Sequence, residues 1–245
     1  MIRVESLKKA GRKKMVLNGI SFSVAARSVL GIIGKSGCGK TTLMRCMGGL
    51  EPFDGGKVAY TGIELLPNLP EPARQKRVKE LRKKVGMVFQ HLHLFPHLSV
   101  LSNIAIAPMN VLKQTRDEAM TTAQKLLDHV GLDSIADQHP DTLSRGEQQF
   151  IALLRSLAMK PDILLLDEPT GGLDPQCTTD VRSLLSEFVA RDHTLIIVSH
   201  SIKFLNGLAD ELLYMEKGEV IEKNRSEMLL LSPRDPRTQA FLNHA

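Results

Sequence analysis

The stretch GKSGCGKTT, residues 34–42, follows an apolar run at 29–33 that reads as a strand and opens a helix expected over about 40–47. It fits GxxxxGK[ST] in the setting where that pattern carries chemistry. Glycines let the backbone wrap around an anion with successive N–H groups turned inward, and a helix N-terminus adds favourable potential for phosphate. Gly34, Lys35, Ser36, Gly37, Cys38, Gly39, Lys40, Thr41 and Thr42 are therefore candidate phosphate-binding positions. Lys40 is placed to reach β- and γ-phosphates, and the Thr41 hydroxyl to reach Mg²⁺.

Outward from the loop, residues 2–7 and 20–24 are expected as strands, the second with Ile20, Phe22 and Val24 alternating. Residues 51–62 read as turn, strand and turn. Pro67, Pro70 and Pro72 suggest an irregular linker, followed over 74–84 by an exposed basic helix, RQKRVKELRKK. A strand at 85–88 ends near Gln90, and from there to about Met159 the pattern is helical, with an apolar stripe over 117–130 stopped by Gly131. Strands return at 163–166 and 194–198, with helices near 177–189 and 202–209, and 212–215 with 220–221 read as a closing hairpin. The expectation is an α/β fold with a mainly helical insertion and an antiparallel β region, in which the core spans about 1–90 and 160–245 and the insertion about 91–159.

The 245-residue chain, 42% hydrophobic and 24% charged, is long enough to bury a sizeable core and reads as one domain, or one with an insertion. A net charge of +5 permits nucleic acid, a phosphate ligand or a membrane surface and selects none of them. Cys38, Cys46 and Cys177 lack metal-ligand spacing and read as cytosolic thiols that mostly pack. The opening MIRVESLKKAGRKK places its charges after a short apolar strand, unlike a signal peptide, and no apolar run approaches bilayer-spanning length.

Two further apolar strands end in polar groups. In ILLLDEP, residues 163–169, a buried strand delivers Asp167 and Glu168 to its C-terminal end, where ligands bind in such sheets. Asp167 can hold Mg²⁺ through water, and Glu168 can orient or deprotonate an attacking water. In TLIIVSH, residues 194–200, His200 can hydrogen-bond a γ-phosphate.

This series resembles the ATP-binding subunit of an ABC transporter, with a P-loop NTPase core, over essentially the full length. The resemblance rests on the glycine loop, Gln90 after KVGMVFQ, LSRGEQQ at 143–149, ILLLDEPT, GGLD at 171–174 and His200. The runs VGMVFQHLHLFPHLSVLSNIAIAP and PRDPRTQAFLNHA are similar to importers of polar amino acids. The resemblance implies ATP and Mg²⁺ as cofactors and a second copy of the subunit as partner. It also implies two transmembrane permease subunits, an external solute-binding protein, and a peripheral place at the cytoplasmic face of the inner membrane. Glu168, His200, Gln90 and Lys40 would be catalytic, with Thr41, Gln90 and Asp167 at the metal. Each ATP would lie between the glycine loop of one copy and Ser144, Gly146 and Glu147 of the other. Asp174 would link the two sites, and the loop around Phe95 to Leu98 would receive a coupling helix of the permease.

Two departures from the family pattern stand out. Where relatives place an aromatic residue before a glycine to stack on adenine, this chain has Ala10–Gly11. Losing such a surface costs about 1–3 kcal/mol by analogy with stacked bases, and weak base discrimination is expected, partly offset by Lys or Arg of KKAGRKK on the ring. The usual LSGGQ is here Leu143, Ser144, Arg145, Gly146, Glu147. Ser144 and Gly146 keep the groups suited to a γ-phosphate, while Arg145 would be strained if its position needed positive φ. Glu147 suits a first helical turn but adds negative charge near phosphate. A tolerated change, a hydrolysis that is slowed or needs the membrane partner, and an inactive regulatory subunit are the three readings open. The rival functions are a soluble ABC ATPase acting on nucleic acid or ribosomes, for which 74–84 supplies a basic run, a transporter ATPase for another cargo, and a small-molecule P-loop kinase, against which Gln90, Ser144, Gly146 and His200 all argue. No nucleic acid is expected as partner: the chain lacks the long coiled-coil insertion or tandem second cassette that such proteins usually resemble, and a solvated helix near anionic headgroups explains the same charges equally well.

Overall fold

The computed structural model describes residues 1–12 and 14–244. The chain runs through β1 (Ile2–Ala10), β2 (Met15–Val24), β3 (Val29–Ile33), α1 (Lys40–Met47), β4 (Gly55–Tyr60), β5 (Ile63–Leu65), α2 (Glu71–Lys84) and β6 (Val85–Val88). A segment without strands follows, holding α3 (Val100–Ala107), α4 (Arg116–His129) and α5 (Arg145–Leu157). The remainder is β7 (Ile163–Asp167), α6 (Pro175–Ala190), β8 (Thr194–Val198), α7 (Ile202–Leu205), β9 (Glu211–Glu216), β10 (Glu219–Arg225), α8 (Ser226–Leu231) and α9 (Pro236–Leu242).

Six strands form one sheet in the order β10-β9-β3-β8-β7-β6, all parallel except β10 at its edge. Its central strands are apolar on both sides because both faces are covered. On β3, Leu30 and Ile32 face one core while Val29 and Ile33 face the other. The first core packs against α1 and a four-stranded antiparallel sheet, β2-β1-β4-β5. The second packs against α6 and the helical segment, through Val181, Leu185, Ile104 and Leu154 among others.

Several local expectations shift. Strands β1 and β2 are longer than their alternating cores because they pair along nearly their whole length, from Ile2 opposite Val24 to Ala10 opposite Met15, with irregularities in register. The three-residue β5, which pairs with β4, has no separate signal in the sequence. Helix α2 begins at Glu71, so Pro72 is not in a linker but in the first helical turn, where its missing N–H costs nothing. It is not wholly exposed either, since Val78 and Leu81 are buried. Helix α7 stops at Leu205 rather than near 209, because Asn206 turns extended with ψ 124°.

Candidate active site

The site forms where the parallel strands end side by side. Register sets Val88 beside Leu166, Asp167 beside Val198, and Val198 beside Ile32. The segments leaving β6, β7, β8 and β3 therefore meet at one sheet edge. Together they line a cleft of about 230 Å³ with Ser36, Gly37, Gly39, Lys40, Thr41, Thr42, Gln90, Asp167, Glu168 and His200, joined by Val16 and Val198.

Gly39 caps α1 with φ 110°, and a Cβ there would come within 2.8 Å of the Val16 carbonyl, so only glycine fits between loop and β2. No side chain caps this helix, which leaves its first N–H groups facing the loop. The buried Lys40 ammonium donates to the Gly34 carbonyl at 2.7 Å and the Lys35 carbonyl at 3.1 Å, holding it at the centre of the loop. Gly34, Lys35 and Cys38 put no surface on the cleft: Lys35 points to solvent and Cys38 is buried beneath the loop.

Asp167 and Glu168 are largely withdrawn from water, and burial pushes both carboxyls above their ordinary range. For Asp167 a Thr41 hydroxyl contact and Lys40 pull the other way; for Glu168 the His200 backbone N–H does so first. Glu168 accepts from that N–H at 3.2 Å, and its Oε1 lies 3.3 Å from His200 Nε2 without hydrogen-bond alignment. Its φ of 51° is left-handed backbone, which costs a non-glycine residue about 1–3 kcal/mol and turns the carboxylate into the cleft. Asp167 Oδ1 and Glu168 Oε1 are both buried with no hydrogen-bond partner. Orphaned carboxylate oxygens beside a Thr hydroxyl and a Gln amide fit a hard cation that keeps several of its waters, as Mg²⁺ does. Among the described residues no cluster of three His, Cys, Asp or Glu side chains offers a closed metal cage.

Ser144, Gly146 and Glu147 lie elsewhere, in a groove of about 410 Å³ between the start of α5, the end of α4 and α6. Ser144 caps α5 in a reciprocal box: its hydroxyl accepts from the Glu147 N–H, while the Glu147 carboxylate accepts from the Ser144 N–H and hydroxyl, both at 2.7 Å. The carboxylate at position 147 is thus engaged within its own turn. Gly146 touches α6 so closely that a Cβ would lie 2.6 Å from Cys177 Sγ. Arg145 is the first helical residue and carries no left-handed strain, contrary to the concern its glycine-to-arginine change raises. Its Nη2 donates to the Gln90 carbonyl at 2.9 Å. Asp174 caps α6 by accepting from the Cys177 N–H at 2.8 Å, a bond that holds its carboxyl below the ordinary range.

Sequence reasoning missed Val16, which no motif marks: β2 carries it over the loop from the neighbouring sheet. It also missed Asn103, fully buried, which accepts from the Phe95 N–H and donates to the Phe95, Leu98 and Ser99 carbonyls, bracing that loop. Ala10 is exposed and outside the cleft lining, and Lys13 of KKAGRKK is outside the described residues.

A glycine loop, a carboxylate pair and a histidine at the C-terminal edge of a parallel sheet define a nucleoside triphosphatase. A family model described as ABC transporter matches residues 17–171. The arginine transport ATP-binding protein ArtM of Bacillus subtilis (strain 168) is 40% identical over 242 residues, covering 99% of this chain and 98% of the relative. The L-cystine import ATP-binding protein TcyC of the same organism is 36% identical over 243 residues, covering 99% and 98%. A dimeric structure of the ATP-binding cassette MJ0796 in a post-hydrolysis state, bound to ADP and Pi, superposes with a TM-score of 0.84 at 26% identity, over 92% of this chain and 99% of that one. The chain belongs to the ABC transporter family, as its ATP-binding and ATP-hydrolysing subunit, with ATP and Mg²⁺ as cofactors.

Proposed function

We propose that this subunit powers import of a polar amino acid from the cytoplasmic face of the membrane. It would be peripherally attached to two permease subunits that receive solute from an external binding protein. The cargo class is supported by the likeness to ArtM and TcyC, which are named for arginine and L-cystine. No described helix is long and apolar enough to cross a membrane, so attachment requires a docking surface. An apolar groove of about 640 Å³ supports one, with exposed Leu50, Phe95 and Val111 among its lining. It includes the Phe95 end of the loop expected to receive a coupling helix.

Within the subunit, the core of about 1–90 and 160–245 binds nucleotide and the helical subdomain of about 91–159 carries Ser144 on its side of the second groove. Lys40 and the loop N–H groups hold the β- and γ-phosphates, and Glu168 accepts a proton from the attacking water while His200 contacts the γ-phosphate. Thr41, Gln90 and Asp167 would hold Mg²⁺, which when bound supplies charge neutralisation between the phosphates. Ser144 and Gly146 complete the site of a second copy, the Ser144 hydroxyl turning its one hydrogen from the Glu147 carboxylate to the phosphate, and Asp174 lies near the join. A site finished only by closure couples hydrolysis to motion, because ATP then favours the closed pair. The observation that carries this reading is the separation of the two half-sites on one chain: loop, carboxylates and His200 in one cleft, Ser144 and Gly146 in another.

Purification from detergent-solubilised membranes tests it. A polytopic membrane protein should accompany the subunit, and a solute-loaded binding protein should raise ATP turnover in the reconstituted complex. Salt-dependent binding to duplex DNA or RNA with no membrane partner would favour the nucleic-acid ATPase instead.

A further inference from the structure

Helix α5 is fastened at both ends to the loop that follows β6. Arg155, in its last turn, donates to the Leu92 and His93 carbonyls, each at 2.7 Å, and its guanidinium lies 5.7 Å from the Phe95 ring centroid. Arg145, its first residue, donates to the Gln90 carbonyl at 2.9 Å. The two arginines are ten helical steps apart, a rise of about 15 Å, so α5 braces the loop as a rigid rod. The Arg155 end is largely withdrawn from water, and burial lowers its guanidinium pKa. The Arg145 end is exposed and meets Gln90, a lining residue of the nucleotide cleft.

That same first turn carries Ser144 and Gly146. The Glu147 carboxylate accepts from both the N–H and the hydroxyl of Ser144, so residue 144 is tied to the helix and moves with it, while its hydroxyl hydrogen can turn to a phosphate that displaces the carboxylate. A short chain of contacts therefore runs from one nucleotide cleft, through the Gln90 backbone and Arg145, to the groups in the second groove. The glycine usual at position 145 has no side chain with which to make this link.

We propose that Arg145 is a positioning residue that couples the two ATP sites of the assembled pair. Movement of Gln90 on engaging Mg-ATP in one subunit is passed through Arg145 to the α5 N-terminus, which sets Ser144 and Gly146 against the partner's nucleotide. The proposal rests on the reading above that these two residues serve a second copy. Coupling of this kind appears as cooperativity between sites, with a Hill coefficient bounded by their number.

The test is ATP hydrolysis by the complete transporter as a function of ATP concentration, for the wild type, Arg145→Ala and Arg145→Lys. The wild type should give a Hill coefficient of about 2 and Arg145→Ala about 1, with kcat falling less than about tenfold. Arg145→Lys, which keeps a cationic donor on a long stem, should restore at least half of the lost cooperativity. ATP binding to the isolated subunit and thermal melting should not change, since the side chain is exposed and alanine is a stronger helix former. Should Arg145→Ala fail to assemble, Arg145→Gln is measured against the same expectation of lost cooperativity. A wild-type coefficient of about 2 that Arg145→Ala leaves intact overturns the coupling and spares the two-subunit site. A wild-type coefficient of about 1 likewise overturns the coupling, and it too spares the two-subunit site, because two sites can act independently.

Discussion

Glu168→Gln should separate catalysis from stability by moving them in opposite directions. The glutamine keeps the shape and an oxygen able to accept from the His200 N–H, now at 3.2 Å. It removes a charge from a side chain only 13% exposed, whose carboxyl burial already pushes upward. Because the folded value lies above the ordinary 4.5, the folded protein holds this proton more tightly than the unfolded chain does. Ionising Glu168 therefore costs stability, beginning as pH rises past 4.5 and reaching its full extent above the folded value. Glutamine carries no such cost, so the variant should melt higher than the wild type at neutral pH, with the gap shrinking toward acid. Turnover should fall about 100- to 10,000-fold, roughly 2.7–5.4 kcal/mol of barrier, the usual worth of a positioned base. In the wild type the acid limb of kcat should lie above pH 4.5 for the same reason of burial. Phosphate release by the assembled complex and calorimetric melts across pH supply both readouts. A variant that turns over within about threefold of the wild type would show that Glu168 is not the base. One that melts lower at neutral pH would show that its ionised carboxylate is stabilising, against the argument from burial.

Two other substitutions follow from the same geometry. Gly146→Ala places a Cβ 2.6 Å from Cys177 Sγ and should destabilise by about 1–3 kcal/mol in a denaturant melt, with Cys177→Ala in the same chain recovering most of it; an unchanged midpoint would mean that α5 and α6 yield at no cost. With Ala10 where relatives carry an aromatic residue, ATP and GTP should bind with similar affinity, and Ala10→Tyr should favour ATP by about 1–3 kcal/mol in equilibrium titration. A strong native preference for ATP would sink that reading.

Much of this molecule was legible in the linear chain because its informative pieces are short and contiguous. The runs at 29–33, 85–88 and 194–198 are strands with the expected bounds, since an apolar run covered on both faces has little other place to go. Helix α1 begins at Lys40 because the glycine loop and the helix it opens form one local unit. The contact of Asp167, Glu168 and His200 with that loop could be anticipated from the rule that parallel strands present their C-terminal ends together. What the chain did not disclose are contacts between residues that no local pattern relates. Val16 reaches the cleft only because a second sheet lies over the loop. Glu147 is spent within a capping box, so its charge, which looked like a disturbance to phosphate, is directed at Ser144. Arg145, which looked like strain in a glycine position, is an unstrained helical residue bonded to Gln90, 55 positions earlier. Which chemical groups this protein owns, and which strand end carries Asp167, Glu168 and His200, follows from the linear order of residues. How they divide between two grooves, and what holds one groove to the other, is a matter of folded packing, because those distances are set by α5 against the loop and against α6.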